Sequence, residues 1–210
     1  MKQEIQRCTE VLKAGGIILY PTDTIWGIGC DATTPLAVSR VYKIKERIDT
    51  RAMLVLVDSI DMIYDHIEEI PEMALEILRL RHSPGPTRKG RDRDAGSMSA
   101  RIPDDKPLTI IYPGAIGLAD NLLAEDGSIG IRITEETFSR ELVRSFGKPI
   151  VSSSANISGE SPPGSFAEIS DRIRLAVDHI ANWKQDENIK RKPSGILKVS
   201  LNGEIKIIRQ

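Results

Sequence analysis

Apolar residues return at helical spacing at Ile5, Cys8, Val11 and Leu12, with polar side chains between them, and predict an amphipathic N-terminal helix. Gly15-Gly16 ends it, and the unbroken apolar run Ile17-Ile18-Leu19-Tyr20, closed by Pro21, reads as a buried strand. Thr34 followed by Pro35 is an N-cap with a first-turn proline. It opens a second helix through Leu36, Val41 and Ile44 that finishes in the basic stretch Lys43 to Arg47. Met53 to Val57 is another short apolar strand; Ser59 caps a short helix, and Pro71 opens a longer one reaching about Leu80.

Farther along, Leu108 to Tyr112 and Ile129 to Ile133 read as strands, and Glu135 to Phe146 as a helix closed by Gly147. Pro149 to Val151 reads as a strand running into a serine-rich turn, and Phe166 to about Ile180 as a helix. Gly195 to Arg209 alternates as two strands around Asn202-Gly203, a dipeptide suited to the positive φ angles of a tight hairpin. Strands alternating with helices, then a terminal hairpin, predict an α/β domain with a mixed sheet. One segment breaks the rhythm. Arg81 to Lys106 holds only Met98 and Ile102 as large apolar side chains, too little to offset the entropy of ordering it, so it is expected to be a loop insertion.

The 210 residues fit a single domain spanning 1–210, and 40% hydrophobic residues supply a sizeable core resting on aliphatic side chains, since aromatics make up only 4%. A formal net charge of −1 gives no global field for holding nucleic acid, so any polyanion site must be local. Cys8 and Cys30 are the only cysteines; they stand in apolar-patterned stretches and predict packing, with no disulfide framework, no structural zinc site and no metal ligand set among the candidate residues. No apolar run approaches the roughly 20 residues that span a bilayer, and Glu4 and Glu10 in the first helix argue against a signal sequence, so a cytoplasmic protein is expected.

Three places carry candidate chemistry. Thr22, Asp23 and Thr24 directly follow a strand, where open α/β sheets bind ligands, although a capped turn explains the same residues. Lys45 and Arg47 end a helix, either as partners of its dipole or as cations for phosphate oxygens. Ser152-Ser153-Ser154-Ala155-Asn156 follows another strand, and its small side chains would let backbone amides approach an anion. Thr109 and Arg132 lie on later strands, and Arg132 between Gly130, Ile131 and Ile133 must face one side of the sheet, where a buried guanidinium needs an anionic partner. Ser194 precedes the terminal hairpin and Arg209 ends it. No Walker loop, dinucleotide fingerprint, nucleophile elbow or zinc-protease motif is present, and His66, His82 and His179 are scattered. Chemistry here would therefore rest on positioning and charge stabilisation.

Taken in order, the segments YPTDTIWGIGCDA from Tyr20, IKER followed by AML from Ile44, PLTIIYPG from Pro107, GSIGIRI from Gly127, PIVSSSANISG from Pro149 and PSGILKV from Pro193 resemble the YrdC-domain threonylcarbamoyl-AMP synthases. The resemblance covers nearly the whole chain outside Arg81–Lys106. It implies an α/β fold, a YrdC-like twisted mixed sheet with flanking helices and a concave electropositive surface. The implied activity is a nucleotidyltransfer that joins L-threonine, bicarbonate and ATP into L-threonylcarbamoyl-AMP and pyrophosphate, with Mg²⁺ expected alongside ATP. That product serves the modification of an adenosine beside the anticodon of tRNA, so a contact with tRNA or with a transferase complex falls within the implication.

Carried over by position, the resemblance makes Lys45 and Arg47 the catalytic cations on the ATP phosphates. Thr22, Thr24, Arg132 and Ser194 would bind threonine, and Thr109, Ser152, Ser154, Asn156 and Arg209 would bind ATP. Trp26, Ser153 and Gly195 depart from the residues commoner in the family, and the last loses a hydroxyl. Two other functions fit a chain of this kind. One is a non-catalytic RNA-binding module, drawing on the seven Lys or Arg against four Asp in Arg81–Lys106, but few aromatics and a near-neutral total charge count against it. The other is adenylation of a different carbamoyl donor, such as carbamoyl phosphate.

Overall fold

Strand parity decides which side of a sheet each residue faces, and here it separates two cores. The computed structural model describes residues 1–47, 53–82, 106–187 and 193–209. Among the described residues, nine strands form one mixed sheet: β1 (Ile18–Tyr20), β2 (Gly27–Gly29), β3 (Leu54–Val57), β4 (Leu108–Tyr112), β5 (Ile129–Ile133), β6 (Ile150–Ser154), β7 (His179–Ile180), β8 (Gly195–Val199) and β9 (Ile205–Arg209), in the order β7-β1-β2-β6-β3-β5-β4-β8-β9. Pairs β1–β7, β3–β5 and β4–β8 are parallel and the rest antiparallel. The helices are α1 (Lys2–Lys13), α2 (Pro35–Ile44), α3 (Ile60–Tyr64), α4 (Glu72–His82), α5 (Thr137–Phe146) and α6 (Asp171–Ala176).

The larger core takes Val55 and Val57 of β3, Ile110 of β4, Ile131 of β5, Val151 of β6 and Leu197 of β8, and packs them under α2, α4 and α6. The smaller takes Ile18 and Tyr20 of β1, Leu56 and Ile150, under α1 (Ile5, Cys8, Leu12) and α5 (Phe138, Leu142, Val143). Both cysteines are buried in these cores. Burial and the nearby Glu4 carboxylate push the Cys8 thiol up to about 12, so it packs as a neutral side chain. Helices α1 and α5 cover only part of the second face. Residues of the same parity farther along, Thr109, Ile111, Gly130, Arg132, Ser152 and Ile196, line an open cleft instead. The alternation that builds the core thus also aims the polar residues.

Several expected elements are redrawn. Phe166 to Ile180 is not one helix: a 3₁₀ turn at Phe166–Glu168 precedes α6, and His179–Ile180 is a strand paired with β1. Asp178 breaks the helix because its carboxylate accepts the Ile17 N–H at 2.6 Å and the Arg40 guanidinium at 2.8 Å, tying the chain to the start of β1. Ser152 to Ser154 do not form a turn but continue β6. Gly27–Gly29, unassigned from sequence, is β2; a Cβ on Gly29 would stand 2.1 Å from the Val151 carbonyl oxygen, so glycine is needed for this strand to lie beside β6. Arg81 belongs to α4, and residues 83–105 of the expected insertion lie outside the described residues. Among the described residues, no helix is long and apolar enough to cross a membrane.

Candidate active site

The cleft has a volume of about 670 Å³ and is built from strand ends and the loops that follow them. After β1, Pro21 ends the ladder and the chain turns on Thr22. The Thr22 hydroxyl donates to the Ile25 carbonyl at 2.8 Å, accepts the Thr24 N–H at 3.2 Å and lies 3.2 Å from the Thr24 hydroxyl. This is a capped turn, and it also lines the cleft with Thr22 and Thr24. Asp23 points the other way. Its carboxylate accepts the Thr134 hydroxyl at 2.7 Å and the backbone N–H groups of Glu135 and Glu136 at 2.7 and 2.8 Å, at the start of α5.

Asp23 is also the counter-ion of Arg132, whose Nε stands 3.5 Å from Oδ2 without a hydrogen bond. Arg132 is 3% exposed and lines the cleft from β5. Burial lowers its pKa, with the Asp23 charge opposing. A guanidinium this buried, with its carboxylate already committed to three other donors, is electrostatically under-compensated. It is poised for a second anion on the cleft side.

At the far wall Thr109, Ser194 and Arg209 form one network. Thr109 donates to the Ser194 hydroxyl at 3.1 Å, and Arg209 donates to the Ser194 carbonyl and hydroxyl at 2.8 and 3.0 Å. Arg209 is therefore a fixed part of the wall, and its partial burial lowers its pKa. Gly130 forms the floor beside Thr109: a Cβ there would meet the Thr109 methyl at 3.3 Å and Leu54 Cβ at 3.4 Å.

The end of α2 decides where two cations go. Glu46 adopts φ 51°, and the N–H groups of Glu46 and Arg47 donate to the Lys43 and Tyr42 carbonyls at 3.2 and 3.0 Å, a Schellman ending with glutamate where glycine is usual. This reversal sends Arg47 to the cleft wall and Lys45 beneath the end of β6. Lys45 is 2% exposed; its ammonium donates to the Ser154 carbonyl and, at 2.7 Å, to that of Asn156. Asn156 is itself turned inward, its amide donating to the Ile157 and Glu160 carbonyls at 2.9 and 2.8 Å. Burial, with Arg47 adding to it, pulls Lys45 down to about 8.

The profile described as "Telomere recombination", that of the Sua5, YciO and YrdC proteins, matches residues 10–89 and 90–210. The chain belongs to this family. The threonylcarbamoyl-AMP synthase of Vibrio campbellii is 23% identical to it over 194 residues, spanning 92% of this chain and 93% of that one. The threonylcarbamoyl-AMP synthase of Hahella chejuensis is 27% identical over 175 residues, 83% of each chain. Among solved structures, P. abyssi Sua5 complexed with L-threonine has a TM-score of 0.74 at 20% identity, covering 95% of this chain and 52% of that one. E. coli YciO has a TM-score of 0.76 at 20% identity, covering 100% and 90%.

In this Sua5/YciO/YrdC-family chain, the cleft brings together Thr22, Thr24, Arg47, Thr109, Arg132, Ser152, Ser154, Ser194 and Arg209 from among the residues singled out by sequence. Lys45 and Asn156 stand apart from them, behind the wall, where they hold the backbone at the end of β6. Ser128 and the Pro162-Pro163-Gly164 stretch line the cleft without having been singled out, and Trp26, noted from sequence only as a departure from the family, lines it as well. Parity would have found Ser128, which shares its side of the chain with Gly130 and Arg132. No comparable signal marks Pro162 to Gly164, which reach the cleft only through the loop after β6.

Proposed function

We propose that this chain condenses L-threonine, bicarbonate and ATP into L-threonylcarbamoyl-AMP, releasing pyrophosphate, for modification of the adenosine beside the tRNA anticodon. One observation carries the reading. Arg47, Arg132 and Arg209, from three distant segments, line the same cleft as Thr22, Thr24 and the serines of β6, and no carboxylate lines it among the described residues. Such a wall favours a ligand bearing several negative charges beside a small polar one. The names of the curated relatives and the threonine complex of the P. abyssi protein support the same choice of substrates.

In the reaction, the threonine amine attacks the carbon of bicarbonate and water leaves, giving a carbamate. A carbamate oxygen then attacks the α-phosphorus of ATP; the bond from that phosphorus to the bridging oxygen breaks and pyrophosphate departs with the electron pair. Arg132, oriented by Asp23, pairs with the threonine carboxylate, with Thr22, Thr24 and Ser194 around it. Arg47 neutralises phosphate oxygens, and Ser152, Ser154, Thr109 and Arg209 hold the nucleotide. Lys45 and Asn156 serve it indirectly by fixing the end of β6. Magnesium usually takes one or two protein carboxylates as well as phosphates. The side chains of the described cleft residues offer oxygen only as hydroxyls and do not form a magnesium site by themselves, and the fixed positive charge among them is that of Arg47, Arg132 and Arg209. The reaction is placed in the cytoplasm, with the product passed on to a transferase complex or to tRNA.

With purified protein and ATP, pyrophosphate release is expected only when L-threonine and bicarbonate are both present. Release indifferent to threonine would remove the proposed substrate, and tight tRNA binding without turnover would favour an RNA-binding module.

A further inference from the structure

Trp26, directly before β2, is 6% exposed and lines the cleft next to the Thr22–Thr24 turn, and the larger core packs against it with Phe166 at its edge. That edge comes from a distant segment. The Phe166 ring lies 4.8 Å from the Trp26 ring, tilted by 48°, and the Arg174 guanidinium carbon sits 4.8 Å from the centre of the same Phe166 ring. Both distances fall within the range of attractive ring–ring and cation–ring contacts. Arg174 is locked over the ring because one of its terminal nitrogens donates to the Phe166 and Ala167 carbonyls at 2.9 and 3.0 Å. Its Nε is buried with no hydrogen-bond partner. A guanidinium that leaves one donor unsatisfied to keep its face on an aromatic ring is oriented by that ring as much as by its hydrogen bonds. The break of the expected long helix into a 3₁₀ turn and α6 is what lets Phe166 and Arg174 meet.

We propose that Phe166 and Arg174 are positioning residues that hold the Trp26 indole as the wall of the amino-acid end of the cleft, and so set affinity for L-threonine without touching it. This rests on the reaction proposed above for the same cleft. Trp26 adjoins the hydroxyl-bearing turn, so a displaced indole would disturb that wall first. Arg209 and Thr109, on the nucleotide side, belong to other strands and are tied to Ser194, not to this aromatic stack.

The test uses the Trp183→Phe protein, in which Trp26 is the sole tryptophan. Trp183 stacks on Phe138 away from the cleft and its Nε1 has no hydrogen-bond partner, so phenylalanine suits the site. In that background, Arg174→Met is expected to shift Trp26 emission. It should raise the KM for L-threonine about threefold to tenfold, the range expected for loss of one partly buried cation–ring contact, with kcat and the KM for ATP little changed. Phe166→Leu, which keeps apolar bulk but removes the ring, should do the same, whereas Arg174→Lys, which keeps a cation, should stay nearer the parent. Unchanged Trp26 emission in Arg174→Met and Phe166→Leu overturns the proposal, as does a KM that rises equally for both substrates. Emission is read without turnover. A parent protein lacking threonine-dependent turnover would therefore count against the reaction, while the emission of the variants would still decide whether the stack holds Trp26.

Discussion

Arg132→Met is expected to raise the KM for L-threonine by about a hundredfold or more while leaving the KM for ATP within about threefold, because truncating one side of a buried, hydrogen-bonded charge pair costs about 2–5 kcal/mol. The protein should remain folded. Breaking a buried ion pair is normally destabilising because the other charge is stranded. Here Asp23 keeps three donors, from Thr134, Glu135 and Glu136, all at 2.7–2.8 Å, and loses a partner that stands 3.5 Å away without a hydrogen bond. Asp23 is therefore not stranded when Arg132 is removed, and the proposed reading gives the guanidinium's uncompensated charge to the threonine carboxylate. Steady-state kinetics with threonine varied at saturating ATP, set beside thermal unfolding, check both halves. A matching loss in threonine affinity and in thermal stability would make Arg132 a structural residue.

Lys45 gives the second large effect and a distinctive pH dependence. With its pKa near 8, the ammonium is charged at neutral pH and holds two carbonyls at the end of β6. Activity should fall as pH rises through about 8, as the charge that clamps the Ser154 and Asn156 carbonyls is lost. Stability should not fall with it. The folded-state pKa lies below the ordinary lysine value of 10.5, so between about 8 and 10.5 the unfolded chain binds more protons and this group favours the folded state increasingly as pH rises. In Lys45→Met the alkaline limb should vanish, and kcat/KM should drop by about a hundredfold, the scale of a 1 Å misplacement of positioning groups. An alkaline limb that persists in Lys45→Met would assign it to another group.

The extent to which these features were legible in the sequence follows from how local their causes are. Arg132 is legible because period-2 alternation alone sends it to the face opposite Ile131 and Ile133, and that face is the cleft. The hairpin around Asn202-Gly203 is equally local, and Gly203 indeed takes φ 83°. Strands β2 and β7, of three and two residues, carry almost no pattern; they exist because Gly29 admits the Val151 carbonyl and Asp178 captures the start of β1. Lys45 and Arg47 look equivalent in the sequence, two residues apart at a helix end. The left-handed turn at Glu46 separates them, and a glutamate gives no warning of that conformation, which usually signals itself with glycine. The inward turn of Asn156 is local, its amide serving carbonyls one and four residues on, but an irregular loop carries no period that announces it.

For the proposed reaction, one cleft must hold a triphosphate and an amino acid close enough for a carbamate oxygen to reach the α-phosphorus. Incubation with ATP, L-threonine and ¹³C-labelled bicarbonate, followed by mass spectrometry of the quenched mixture, reads that event directly. The expected result is threonylcarbamoyl-AMP carrying the label, formed together with pyrophosphate. ADP with phosphate, or an adenylate of threonine without the labelled carbon, would contradict it.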